Sequence, residues 1–317
     1  MILSASRRTD IPNYYSDWFF NRIREGFVCV RNPMNPRQVS RINLSPKVVD
    51  CIVFWTKNPK PMINRLPELS QYKYYFQFTL TGYGKDMECN VPHKKEKMIP
   101  IFQELSRQTG KEKVIWRYDP IIFTKKYTPE YHLKAFTQIA DALWGYTKKC
   151  VISFVDIYGK NRKNLREAGA YEIGEEEVIK IAESMGKIAL ERGITVASCA
   201  ENIDLSPWGI EHNCCIDPKL IEEIVGYKIS GGKDKNQRNA CGCIESVEIG
   251  AYNTCKNGCR YCYANYSRES VWANCRKYDA NSPLLCGTIT GEDMVYERKV
   301  KSLAEGQLSL SICNEIL

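Results

Sequence analysis

Six short apolar runs recur along the first two-thirds of this 317-residue chain, set apart by longer amphipathic stretches. They are MILSA (1–5), DCIVFWT (50–56), YYFQFTL (74–80), KVIWRYD (113–119), CVISFVDI (150–157) and ITVASCA (194–200). Each is rich in Val, Ile, Phe and Tyr and almost continuously apolar. Strands buried on both faces have this composition.

The intervening segments carry helix signals. YYSDWFFNRIREG stops at Gly26, KKEKMIPIFQELSRQTG at Gly110, and PEYHLKAFTQIADALWG starts on Pro129 and stops at Gly145. Proline at the start and glycine past the end is the expected asymmetry. GEEEVIKIAESMGKIALERG places its acids in the first turn, where the helix dipole favours them. A hairpin is expected in FVCVRNP…QVSRINLSP, and a further helix in DPKLIEEIVG. Strands alternating with helices predict a parallel α/β architecture. With six units and no Gly-rich dinucleotide fingerprint, a partial (β/α)6 TIM-type barrel over 1–205 fits better than a nucleotide-binding open sheet. Residues 206–317 form a cysteine-, glycine- and asparagine-rich extension with little periodicity, expected to fold over the barrel mouth. Loops this long need something to order them, and metal ligation supplies it.

At 44% hydrophobic and 26% charged residues, the composition is that of an ordinary globular chain. The net charge of +8 comes from basic residues interleaved with acids, as on solvated faces; nucleic acid stays open as a partner. The N-terminus lacks a signal-peptide h-region, and no stretch approaches the ~18–20 apolar residues of a membrane helix. A cytoplasmic protein without a membrane partner is expected.

In parallel β/α barrels the site lies at the C-terminal ends of the strands. Reading past each run gives Ser6, Arg7, Arg8 and Asp10; then Thr56, Lys57 and Asn58; then Thr79 and Thr81; then Arg117 and Asp119; then Asp156; and finally Ser198, Cys199 and Glu201. Arginines and lysines there suit a carboxylate. Arg7, Arg8, Asp10, Arg117 and Asp119 are the candidate catalytic group.

Of 15 cysteines, 9 fall between Cys199 and Cys275. Without a secretion signal, ligation explains this clustering better than disulfides. Cys29, Cys51, Cys89 and Cys150, in or near apolar runs, are expected as small buried hydrophobes. Cys255, Cys259 and Cys262 admit two readings. They hold three irons of a [4Fe–4S] cluster with the fourth open, or they are part of a zinc site completed by Cys241 and Cys243 or by Cys275. Cys199, Cys215, Cys241 and Cys243 form a candidate second [4Fe–4S] set, with structural zinc as the alternative; Cys214 and Cys215 are adjacent, so only one is expected to ligate. Of the three histidines, His93 and His132 are expected on the surface, and His212 is a possible substitute ligand.

Cys-x3-Cys-x2-Cys with an aromatic, Tyr261, before the third cysteine resembles the signature of the radical S-adenosylmethionine enzymes. The resemblance implies that the open iron binds the amino and carboxylate groups of S-adenosylmethionine. Reductive cleavage then yields a 5′-deoxyadenosyl radical that abstracts hydrogen from a substrate, with a reducing donor such as flavodoxin or ferredoxin. It also implies the partial (β/α)6 barrel. More narrowly, SASRRTDIP, FWTKNP, WRYDP, SCAE, CGCIES, IGAYNTC and CRYCYAN resemble the bacterial family called domain of unknown function 1848, over nearly the whole chain. TKNP and RYDP are also similar to the spore photoproduct lyase branch. That likeness implies Lys57, next to Thr56, as a contact for the cofactor carboxylate. Tyr261 is implied near the adenine, and Tyr263 is expected to shield the cluster. The chain departs from the superfamily in placing the cysteine motif after all six strands, and no Gly-Gly-Glu segment is identifiable. The competing expectations are a zinc- or cluster-stabilised binding protein, with nucleic acid as a partner, and a non-radical electron carrier.

Overall fold

The computed structural model describes residues 1–238 and 240–305, so the end of the extension expected over 206–317 lies outside the described residues. In chain order the strands are β1 (Ile2–Ala5), β2 (Phe27–Arg31), β3 (Gln38–Asn43), β4 (Cys51–Thr56), β5 (Tyr74–Thr79), β6 (Val114–Ile121), β7 (Lys149–Phe154), β8 (Thr195–Ser198), β9 (Glu211–His212), β10 (Val247–Glu248) and β11 (Met294–Glu297). The six apolar runs are β1, β4, β5, β6, β7 and β8. They lie side by side in chain order, all parallel. The extension adds one two-residue strand at each edge, giving the order β10-β1-β4-β5-β6-β7-β8-β9. The expectation is met as a parallel α/β sheet flanked by helices. The sheet is open: it ends at β9 and β10, and among the described residues no pairing closes a TIM-type barrel. The hairpin forms as β2 and β3, antiparallel. Strand β11, which the texture of the extension did not signal, pairs parallel with β3.

Alternation along the strands divides the core in two. Ile52, Phe54, Phe76, Phe78, Trp116 and Ile152 face one way and pack under the helices. Phe54 stacks on Phe76 with centroids 4.8 Å apart, and Trp116 stacks on helical Phe136 at 4.7 Å. Cys51, Val53, Tyr75, Ile115 and Val151 face the other way, onto Ile216, Ile221 and Ile244 of the extension. Such two-sided burial explains why the runs lack polar alternation.

Predicted helices form at Ser16–Glu25, Ile99–Thr109, Pro129–Leu143, Glu175–Leu190 and Pro218–Val225. The first ends on Gly26 at φ 75°, a left-handed conformation that costs glycine little. Thr128 caps the third by accepting from Tyr131 N–H at 3.2 Å, and Asp217 caps the last. A helix at Arg268–Cys275, capped by Ser267, was not anticipated. Among the described residues no helix is long and apolar enough to cross a membrane.

Two expectations are corrected. Cys89 is exposed, because the chain turns outward after β5 to meet the cysteine loop. His132, expected on the surface, is fully buried. Its Nδ1 lies 2.9 Å from the Tyr118 hydroxyl, and its Nε2–H donates to Ile122 O at 3.0 Å. His93 is exposed, as expected.

Burial lowers the His132 pKa from 6.5 to about 4, so the unfolded chain takes up the proton first. The stability from neutral His132 is therefore complete above pH ~6.5 and is lost as pH falls toward 4. Between pH 7.5 and 5 this removes about 2 kcal/mol. His132→Gln keeps a donor and an acceptor but has no proton to gain. Urea unfolding at both pH values is expected to show a drop about 2 kcal/mol smaller in the variant; equal drops would refute the assignment.

Candidate functional site

The C-terminal ends of β1, β4 and β5 hold the first group of predicted residues, and Asp10 joins them. Its Oδ1 accepts from Thr56 Oγ1 at 2.7 Å and Asn13 N–H at 3.2 Å. Its Oδ2 accepts from Lys57 N–H at 2.9 Å and Asn257 Nδ2 at 2.9 Å. Asn257 lies inside the CKNGC loop, so one buried carboxylate ties the cysteine loop to the first two core strands.

A second carboxylate, missed by the sequence analysis, fixes the other side of the loop. Glu88, nine residues past β5, has a fully buried side chain. Lys57 Nζ lies 2.8 Å from its Oε1, and Thr81 Oγ1 donates to the same oxygen at 3.1 Å. Tyr261 OH and Lys94 Nζ also donate to Glu88. Burial alone would raise its pKa, but Lys57 and Lys94 hold it down at about 2. Lys57 Nζ reaches Tyr261 OH at 2.9 Å, so two implied cofactor contacts meet on Glu88. The only sequence signal was an acid beside a cysteine shortly after a strand.

The loop carrying Cys255, Cys259 and Cys262 is pinned on this frame. Cys259 pairs with Glu88 as an antiparallel bridge, and Arg260 N–H donates to Met87 O at 3.0 Å. Gly258 turns the chain at φ +66°, and a side chain there would meet Cys89 Sγ at 2.5 Å. The three thiols influence one another electrostatically, and Lys57 acts on Cys259 and Cys262. Burial pushes Cys259 up to about 12, which makes it a poor nucleophile; binding a metal ionises such a thiol. Cys275 is turned toward Tyr15 OH, at 3.4 Å, and Thr254 O.

Across the sheet a second group gathers. Cys199, after β8, brings its Sγ to 3.2 Å from that of Cys215. Cys243 and Cys241 continue the chain of thiols. Arg117 Nη1 donates to Cys215 Sγ at 2.8 Å, while its Nη2 pairs with Asp119, which also accepts from Ser153. Arg7 does not join Asp10; its Nη1 pairs with Asp234 at 3.2 Å, and its charge acts on Cys243 and Cys215. Tyr263 OH donates to Arg7 O at 2.7 Å, linking the two cysteine groups. Arg8 lies outside both, 4.8 Å over the Tyr252 ring. Asp156 pairs with Arg238, Glu201 accepts from Phe154 N–H at 2.8 Å, and His212 is exposed on β9. Among the described residues no three His, Cys, Asp or Glu side chains converge on a point that one ion would fill.

A family model described as a domain of unknown function (DUF1848) matches residues 2–264. The chain belongs to this family. The matched DUF1848 span runs from β1 to just past Cys262 and so contains both cysteine groups, Asp10 and Glu88. No curated protein matches the chain. Among solved structures, a protein described as a putative alpha-L-fucosidase from Bacteroides thetaiotaomicron VPI-5482 is 14% identical over 63% of this chain and 77% of its own, at a TM-score of 0.26. That likeness carries no functional argument.

Proposed function

We propose that this DUF1848 protein is a radical S-adenosylmethionine enzyme, with Cys255, Cys259 and Cys262 as the cluster ligands. One observation carries the reading: three thiols from one short loop are held at the strand ends against Lys57. The donor set fits the cofactors. Three thiolates leave one iron of a [4Fe–4S] cluster open. Lys57 would meet the carboxylate of S-adenosylmethionine and Glu88 its amino group, and the Tyr261 ring would flank the adenine. The group supplies reductive cleavage and a hydrogen-abstracting radical; the chain positions it and excludes water. Asp10 and Asn257 would fix the loop, while Asp119, whose charge acts on Lys57 and Tyr263, would face the substrate. An open sheet with helices on one face and the extension on the other supports a partial barrel whose concave side the extension fills. A reduced flavodoxin or ferredoxin would be the electron donor.

A second reading, a metal-stabilised nucleic-acid-binding protein, draws on Lys160, which lies 4.7 Å over Tyr252 and 4.2 Å over Tyr266. Bases stack on such surfaces, with strong salt dependence.

The two part on one experiment. Wild type and Cys259→Ala are purified anaerobically, and 5′-deoxyadenosine is measured after adding dithionite and S-adenosylmethionine. The expected result is product from wild type and at least a hundredfold less from the variant. Zinc without iron, and no product from either, would leave the binding protein.

A further inference from the structure

The two sheet edges do not meet, and a cluster of thiols lies between them. Cys199 ends β8, Cys215 follows β9, and Cys241 and Cys243 precede β10. All four are buried. Hydrogen-bond donors already point at their sulfurs: Arg117 Nη1 and Asn213 Nδ2 lie 2.8 and 3.1 Å from Cys215 Sγ, and Ile216 N–H lies 3.3 Å from Cys243 Sγ.

More donors border the same place without an acceptor. Arg7 Nη2 and Trp55 Nε1 are buried and have no hydrogen-bond partner among the described residues. Arg7 and Arg117 lie over the Trp55 ring at 5.4 and 5.2 Å, so two cations share one indole beside the thiols. Leaving buried donors unpaired forfeits their solvation without return. Native structures rarely keep several together without an unplaced group to satisfy them.

We infer that Cys199, Cys215, Cys241 and Cys243 hold a second [4Fe–4S] cluster, with Arg7 and Arg117 as positioning residues that balance its charge. This inference does not depend on the radical reading. A zinc ion would offer the two orphaned donors no acceptor beyond its own thiolates, two of which already accept from Arg117, Asn213 and Ile216. A cluster's inorganic sulfides accept hydrogen bonds. Its four thiolates bind four separate irons, so they need not converge on one point; Cys199 and Cys215, with sulfurs 3.2 Å apart here, would separate to hold it. Cys214 is left out of the set because it is only half-buried; its sulfur packs against Gly242, where an added Cβ would lie 2.7 Å from it.

The test uses the full chain carrying Cys255→Ala, Cys259→Ala and Cys262→Ala, reconstituted anaerobically with iron and sulfide. About four irons and four sulfides per chain, with a [4Fe–4S] electron paramagnetic resonance signal on reduction, are expected. No iron, or a single zinc, overturns the inference. If that variant does not fold, Cys241→Ser in the otherwise intact chain is expected to lose about four irons relative to wild type, and unchanged iron overturns it equally. Arg117→Gln is expected to keep its iron but lower the midpoint potential of that cluster, because losing counter-charge makes a net-negative cluster harder to reduce. An unshifted potential removes the arginine's role. In the triple variant, iron reports only on this site, while 5′-deoxyadenosine formation by wild type reports only on the other.

Discussion

Asp10→Ala is expected to destabilise the protein by about 3–5 kcal/mol, because one carboxylate serves four buried or half-buried donors. Alanine orphans Thr56 Oγ1, Lys57 N–H, Asn257 Nδ2 and Asn13 N–H together, and these belong to β4, the segment after it, the cysteine loop and the helical turn after β1. The loss therefore spreads across the junction. Asp10→Asn is the informative control. Its amide oxygen still accepts from Thr56 and Asn13, but its NH2 faces two donors. It should fall between wild type and alanine, near 2 kcal/mol. Urea unfolding at neutral pH gives the values; if the proposed function holds, metal analysis should show the alanine variant retaining less metal. A loss under 1 kcal/mol for alanine would mean that the loop is held elsewhere.

The second large effect is expected at Glu88. Glu88→Gln removes the one negative charge bonded, among the described residues, to both Lys57 and Lys94, each mostly buried. Removing one member of a buried ionic network costs about 3–5 kcal/mol, since the remaining charges stay out of water without a partner. Two cations remain here, so the penalty should be relieved by deleting one. Lys94→Met in the Glu88→Gln background is expected to recover at least about 1 kcal/mol, whereas Lys94→Met alone destabilises. A double-mutant cycle by thermal or urea unfolding measures this. Additive losses would show that the three residues are not a unit.

Much of this architecture was legible in the chain. The six strands were readable because burial on both faces left unbroken apolar runs, and the helices carried their own stops, as at Gly26. Closure was not readable. Edge strands of two residues, such as β9 and β10, are too short to imprint any period, so only the coordinates show an open sheet ending in the extension. In the candidate site, Lys57, Thr56 and Asp10 were found because strand ends can be counted. Glu88 was not, because a carboxylate on an irregular segment becomes special only when Lys94 and Tyr261 fold against it. His132 was misplaced for a related reason. A histidine on an amphipathic helix looks polar until Tyr118 and Ile122 O satisfy both ring nitrogens.

The pairing of β1 with β10 bears on how the chain is made. Ser4 and Glu248 stand 244 residues apart, yet their side chains bond at 3.1 Å. On a ribosome, the first strand must wait for most of the polypeptide before that flank is covered. Until then it presents an unprotected edge of the kind that recruits other chains. Contacts this distant in sequence also slow folding. Synthesis in a cell should accordingly depend on chaperone capacity. Chains truncated before the cysteine-rich extension should be recovered mainly as insoluble material, whatever chemistry the finished protein performs.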